Sequence, residues 1–479
     1  MQIEAILSRR NLIVMAVVFV LAIVVGVVIA VEATPAIVIV LAFFVPLVLI
    51  SVRNLWAYAI WVAIFGLAVW SYGFNNVPLI RPLPLADALI IFSVIFGFTR
   101  WWPLHRVMVV RRLLFFLSAL MFIVLLRLIV DIPSFGLLAV RDALFAFELW
   151  VLLPAIAMGV MLGERRLNQY LFWLFSVTTA WFLLYPWRDV IVSISPVVGI
   201  QRPVPLFAFT TAGFMSVPVF FWFLWNRRGM ISVIGAVAAL FILLLAQSRG
   251  AYLAFLGSVI VLYLLQPGSV KRWGRVMLVG TVVGVVLLLF GGFLTGRLGE
   301  PVGIDTVVEQ MQTLAGEEGP GAGSFQYRLT AWSMVIRQVL SEPLGPVIGL
   351  GLGPDLFLGF ALGPDVLVRK PHNDYLEIWA RIGVFGLLAW LGILIVLGLE
   401  AAKGARQSPR HGWILSLQIM LWITSVGQPA MGFAYVVVVW AGLTGLWIGA
   451  RLHEQGLVPV KPPRLTQPAG EEVVFRFEK

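Results

Sequence analysis

Lys370-Pro371-His372-Asn373-Asp374-Tyr375 closes the one long polar stretch of this chain, which begins at Gly296. On either side the sequence is dominated by apolar runs long enough to cross a bilayer, which need ~20 residues each. The chain has 479 residues, 61% of them hydrophobic and only 12% charged, with a mean hydropathy of +0.99. Soluble domains carry about 25% charged residues. The composition therefore excludes a soluble globular protein and specifies an all-α, polytopic membrane protein.

Apolar runs fall near residues 11–31, 35–52, 55–74, 85–99, 113–130, 142–162, 170–187, 206–225, 230–247, 251–266, 276–295, 380–400, 412–428 and 433–450. They predict about 12–14 transmembrane helices of ~20 residues, with one large external loop containing short helices. The organisation expected is N-terminal transmembrane helices over 1–295, a large loop over 296–375, C-terminal transmembrane helices over 376–451 and a tail over 452–479. Leu12–Val31 lacks a small-residue cleavage site and reads as a retained first helix. The tail, from Gln455, is rich in Pro and charge and reads as disordered chain.

The formal charge of +11 is explained by topology. With the N-terminus inside, the inner loops collect Arg9-Arg10, Arg53, Arg111-Arg112, Arg165-Arg166, Arg227-Arg228, Lys271-Arg272, Lys403 and Arg410. The outer loops near 32–35 and 430–432 have no basic residue. This is the positive-inside bias. It puts both termini in the cytoplasm and the 296–375 loop outside, and it makes nucleic acid unnecessary as a partner. The absence of Cys excludes disulfides, thiolate catalysis and Cys-ligated metals.

Inside the loop, Glu300–Gly323 is acidic and rich in Gly. Ser324–Leu340 reads as an amphipathic helix with Tyr327, Ala331, Met334, Val335 and Leu340 as its apolar stripe. Gly345–Gly363 should be irregular.

Four positions on the outer side can carry chemistry: Arg202, Arg249, Arg328 and His372. Arg249 stands in Gln247-Ser248-Arg249-Gly250, a break between two aliphatic runs. An Arg at that depth faces protein, water or an anion. It reads either as an interfacial side chain that fixes the turn or as an anion clamp, for which the forked guanidinium is suited. Arg202 and Arg328 read alone as loop and surface charges. His372 has Asn373, Asp374 and Tyr375 beside it, and an imidazole is suited to proton abstraction near neutral pH. There is no Asp-x-Asp pair, no paired His at metal spacing, no phosphate-binding Gly-Lys-Ser loop and no dinucleotide glycine fingerprint. An enzyme that uses a nucleotide sugar with an Asp-bridged ion is thereby disfavoured.

Taken together, these residues resemble the O-antigen ligase and polymerase superfamily of bacterial inner-membrane glycosyltransferases. Ser248-Arg249-Gly250-Ala251, with Leu253, is similar to the family's Ser-Arg-Gly turn and Arg-x3-Leu pattern. His372 followed by Gly383 is similar to its His-x10-Gly pattern, and Arg202 followed by Gly213 to the Arg-x10-Gly pattern of its polymerases. Arg328, ahead of Trp332, sits where the family has a second loop Arg.

The resemblance implies an inverting transferase without metal or other cofactor. Its donor would be a glycan on undecaprenyl pyrophosphate. The acceptor would be lipid A–core for an O-antigen ligase, or a second lipid-linked glycan for a polymerase. It implies His372 as general base, Arg249, Arg328 and Arg202 as pyrophosphate ligands, and Ser248, Asn373, Asp374 and Tyr375 as supporting residues. A transporter that flips lipid-linked sugars is the alternative from another class. It would be expected to show two related halves, and none are evident here.

Overall fold

A computed structural model describes residues 54–75, 77–80, 83–193, 207–266, 270–294, 296, 302–312, 322–357 and 370–457. The expected spans at 11–31 and 35–52, Arg202 and the tail from 458 onward lie outside the described residues. Residues 59–479 make up one unit.

In chain order the elements are α1 (Leu55–Asn75), the short antiparallel pair β1 (Pro78–Ile80) and β2 (Leu83–Pro84), α2 (Leu85–Phe96), α3 (Phe98–Trp101), α4 (Met108–Phe135) and α5 (Leu137–Glu148). Then come α6 (Leu152–Phe182), α7 (Arg188–Ser193), α8 (Phe209–Asn226), α9 (Gly229–Leu245), α10 (Arg249–Leu265) and α11 (Val270–Phe290). The large loop contributes α12 (Ile304–Gln312), α13 (Ala322–Ser341) and α14 (Gly345–Ile348). The chain continues with α15 (Asp374–Gln407), α16 (Gly412–Gly427) and α17 (Ala434–Glu454).

The fold is all-α and polytopic, as expected: in hydrocarbon, helices satisfy their own backbone groups. Every expected span from residue 55 onward overlaps a helix. Among the described residues, six helical runs are long and apolar enough to cross a bilayer on their own, and α2 with the turn after it makes a seventh, bent by 55°. The expected spans at 142–162 and 170–187 fall in one helical run, Leu137–Phe182, which breaks at Gly163 (φ 62°, ψ 172°). α9 and α10 have 17 residues each. At 1.5 Å per residue they span about 25 Å, short of a full hydrocarbon core.

Packing follows from small residues and from which faces are left apolar. Gly445 and Gly449 of α17 lie against the α6 carbonyls of Leu152 and Ile156, so that a methyl group at either would collide with backbone. This GxxxG approach puts α17 at the centre, with 94% of its span buried. Gln418 of α16 settles its polar groups locally, donating to Thr444 Oγ1 (3.0 Å) and accepting from Trp440 Nε1 (3.0 Å). Phe115 and Ile129 of α4 and Leu288 of α11 point outward and are largely exposed, as suits a lipid-facing belt.

The decisive local feature is a break in α15. Gly383 has φ 72° and ψ −173°, a conformation that L-residues with side chains rarely adopt. The break frees helix carbonyls, and the Gly-rich chain after α14 supplies donors to them: Leu350 N–H to Ala380 O (2.6 Å) and Gly351 N–H to Arg381 O (3.1 Å). The same chain is clamped from the other side by two buried carboxylates. Asp131 accepts from Leu352 N–H (2.7 Å) and Asp142 from Gly353 N–H (2.9 Å). The four successive N–H groups of Leu350, Gly351, Leu352 and Gly353, in the stretch expected to be irregular at 345–363, thus all have partners, as buried backbone requires.

α13 corrects the expected stripe. Ala331, Val335 and Val339, spaced i, i+4, i+8, are its buried face and pack on Leu356, Phe357 and Ala380. Met334 is only partly buried and Leu340 is 61% exposed.

Candidate functional site

α16 runs from the Arg410 turn to Gly427, and its final turn is where three of the candidate residues gather. At its starting end, Asn226 Nδ2 donates to Arg410 O (2.9 Å) and Arg451 Nη1 to Glu400 O (3.3 Å), so the basic residues of several loops share that face. At its finishing end lie the Ser248–Arg249 turn, Arg328 and Tyr375.

The turn between α9 and α10 is tight. Gln247 has φ 45°, a left-handed conformation uncommon for a residue with a side chain. Ser248 is buried and precedes the first turn of α10. Gly213 of α8 packs on it: a Cβ there would meet Ala251 Cβ at 3.2 Å and Ser248 Cβ at 3.4 Å. Gly250 faces Thr424 of α16, whose Cγ2 would be 3.7 Å from an added Cβ. Arg249 is half-buried at this junction.

His372 is held from two sides. Trp332 Nε1 of α13 donates to Pro371 O (2.7 Å). Asn373 caps α15, its Oδ1 accepting from Leu376 N–H (3.0 Å). Between these anchors His372 takes φ 53°, the second strained residue of the site. Arg328 lies one helical turn before Trp332, on the same side of α13. Its Nη1 would be 3.6 Å from a Cβ at Gly427.

Arg328 therefore comes to the end of α16 beside the imidazole. Burial first, then the charge of Arg328, push the His372 pKa below its usual value; Glu377 pulls it up, and Lys370 adds the smallest downward push. The net effect favours the neutral ring, the form that can accept a proton.

Tyr375 Oη donates to Trp422 O (3.2 Å), which ties α15 to the same end of α16. Asp374 faces the other way, its Oδ2 accepting from Met431 N–H (3.0 Å). Asn373 and Asp374 thus hold backbone on either side of the imidazole. Of the site residues read from sequence, the structure gathers Ser248, Arg249, Arg328, His372 and Tyr375 around one helix end and puts Asn373 and Asp374 next to them.

On the far side of α15 lies a cavity of about 440 Å³. Asp374, Glu377, Ile378 and Arg381, on one face of α15, form one wall, and Asp87, Asp142 and Glu148 line it from α2 and α5. Arg381, 2% exposed, pairs with Asp142 (2.8 Å) and Glu377 (3.1 Å), and Lys370 pairs with Glu377 (3.4 Å). Sequence reasoning singled out Asp374 but missed Asp87, Asp142, Glu148 and Glu377. The available signal was acidic residues inside otherwise apolar runs, which are rare and face the protein interior.

The comparison with curated proteins gives no match. Residues 234–391 match a family model described as O-antigen ligase. The matched region holds the Ser248–Arg249 turn, the large loop with Arg328, and the His372–Gly383 start of α15. On this match, the part of the chain that carries these candidate residues is similar to the O-antigen ligase family.

Proposed function

We propose that the protein transfers a glycan from undecaprenyl pyrophosphate to a sugar hydroxyl outside the cytoplasmic membrane, as an O-antigen ligase acting on lipid A–core. The observation that carries this is the meeting of the Ser248–Arg249 turn and Arg328 around the last turn of α16, with His372 within electrostatic reach of Arg328.

The acceptor O–H loses its proton to His372 as its oxygen bonds to the anomeric carbon. The bond from that carbon to the pyrophosphate oxygen breaks on the opposite face, which inverts the centre. Undecaprenyl pyrophosphate leaves with the electron pair. Arg249 and Arg328, with Arg202, hold the diphosphate and stabilise its developing charge, so that neither a metal ion nor a nucleotide sugar is required. The orientation that supports this chemistry puts the Arg410 end of α16 and both chain termini in the cytoplasm. The 296–375 loop then faces out between the transmembrane helices of 1–295 and those of 376–451, ahead of a cytoplasmic tail.

A second reading within the family, a repeat-unit polymerase, is favoured by one contact: Gly213, the end of the Arg202–Gly213 pattern, packs on Ser248.

The test is glycan transfer by purified protein. His372→Ala and Arg249→Ala should each lower the rate by roughly 100–1000-fold, the size expected for losing a group that acts on transition-state charge. Near-normal transfer by both, with normal insertion, refutes the assignment. A deletion strain that accumulates unattached polymer on its carrier indicates a ligase; one that caps its acceptor with single repeats indicates a polymerase.

A further inference from the structure

We propose that the turn between α2 and α4 is a docking site for anionic phospholipid, with Arg100, Arg106, Arg111 and Arg112 on the headgroup phosphates and Phe98 and Trp102 against the acyl chains.

The turn lies at the end of the bundle away from His372. Asp131 of α4 holds Leu352, whose neighbour Gly351 donates to Arg381 O of α15. Fifteen residues earlier in α4, Phe116 lies against Gly392, eleven residues later in α15. The two helices therefore run antiparallel, and the start of α4 points toward the Gln407 end of α15. This surface is remote from the candidate transferase residues and stands independently of them.

Local folding gives the turn a buried and an exposed face. After α2 the chain bends by 55°. Trp101, 3% exposed, fastens the bend: its Nε1 donates to Val94 O of α2 (2.9 Å). Leu104 is buried as well. Phe98 and Trp102 are instead 45% and 47% exposed, and they stack on each other at 5.3 Å. Exposed aromatic rings at the end of a membrane helix settle at the bilayer interface, where Trp finds both apolar and polar surroundings.

The charge beside these rings is uncompensated. All four arginines are exposed, and no Asp or Glu stands between Asp87 and Asp131 in the sequence. Among the described residues none of the four forms an ion pair. Other basic residues toward that end of the bundle are engaged by the protein itself. Arg451 donates to Gln407 Oε1 (2.6 Å), Lys403 pairs with Glu400 (2.7 Å), and Arg227 lies over the Phe172 ring at 4.3 Å. Topology asks for positive charge on one side of a membrane; it does not ask that the charge be left unpaired beside exposed rings.

The chemistry of the partner follows. Guanidinium groups suit phosphate, because their forked donors are always charged. Long Arg stems can lie along apolar surface while the heads stay at headgroup level. Arg111 and Arg112 stand near the start of α4, where the helix dipole disfavours cations, a cost that an anion removes. A soluble phosphate would use the arginines alone. The stacked rings beside them specify an amphiphile.

The experiment is native mass spectrometry of the full chain, stripped of lipid in detergent and offered equimolar phosphatidylglycerol and phosphatidylcholine. Wild type should retain phosphatidylglycerol preferentially. Each basic group beside an anionic headgroup contributes about fivefold, so Arg100→Gln with Arg106→Gln should cut the preference by roughly 25-fold. Arg165→Gln with Arg166→Gln removes the same charge from another exposed pair and should leave the preference intact. Trp102→Ala should lower phosphatidylglycerol retention with all four arginines in place. Glycerol 3-phosphate, which has the phosphate but no chains, should not displace the lipid. No preference in wild type, a preference unmoved by the Arg100 and Arg106 changes, or an equal fall with the Arg165 and Arg166 changes overturns the proposal. Unchanged retention by Trp102→Ala, or displacement by glycerol 3-phosphate at the lipid's own concentration, makes the turn a site for soluble anions and overturns it too.

Discussion

Trp332→Phe is the most informative single change, because it deletes one N–H and leaves an aromatic ring in place. The lost bond is the 2.7 Å contact to Pro371 O, the anchor immediately before His372. A net hydrogen bond stabilises by about 1 kcal/mol. The positive φ of His372, 53°, stores about 1–2 kcal/mol for a residue with a Cβ. The tether and the strain are the same size, so removing the tether lets the turn relax toward negative φ in a large share of molecules. A factor of ten per 1.4 kcal/mol gives about a tenfold loss of the competent state. A displacement near 1 Å raises the rate loss to about 100-fold.

Steady-state glycan transfer should show kcat down by that factor, while the KM for donor stays near wild type because Arg249 and Arg328 remain in place. The melting temperature should fall by only a few degrees, as for a loss of ~1 kcal/mol. A kcat within twofold of wild type refutes the reasoning: the Trp332 bond would then serve folding alone and His372 would keep its conformation unaided.

Three further changes have definite expected outcomes. Lys370→Gln removes a cation that disfavours the imidazolium and unmasks Glu377, so the His372 pKa rises and the acid limb of the pH–rate profile moves to higher pH; an unmoved or lowered limb contradicts the assignment of His372 as base. Gly383→Ala puts a methyl onto the Val347 carbonyl at φ 72° and should sharply cut the yield of folded protein, as read by monodispersity after extraction, because both backbone strain and overpacking oppose it. Arg381→Met leaves Asp142 and Glu377 buried without their partner and should lower stability by about 3–5 kcal/mol in thermal melts, a change too large for a merely local contact.

The helices were legible from residue 55 onward because lipid imposes a one-dimensional rule: an apolar run of sufficient length must satisfy its own backbone. The candidate site was legible where its residues are close in sequence or break an apolar run, as Arg249 and His372 do. Arg328 needed the extra fact that Trp332, one turn on, grips Pro371. The cavity was not legible. Asp87, Asp142, Glu148 and Glu377 are distributed over three helices, and only the tertiary fold shows that they share one space. Breaks at Gly163 and Gly383 were hidden for a different reason. A glycine in an apolar run can serve a kink, a close helix crossing or nothing at all, and the sequence does not distinguish them: Gly449 is a crossing, Gly383 a kink.

The break at Gly383 bears on biogenesis. The helix that starts at Asp374 has carbonyls at Ala380 and Arg381 that accept from Leu350 and Gly351, in the loop segment that precedes it. Insertion of that helix and docking of that segment are therefore one event. The loop acts as an assembly checkpoint: until it has settled on Asp131 and Asp142, the helix that follows it is not a finished element.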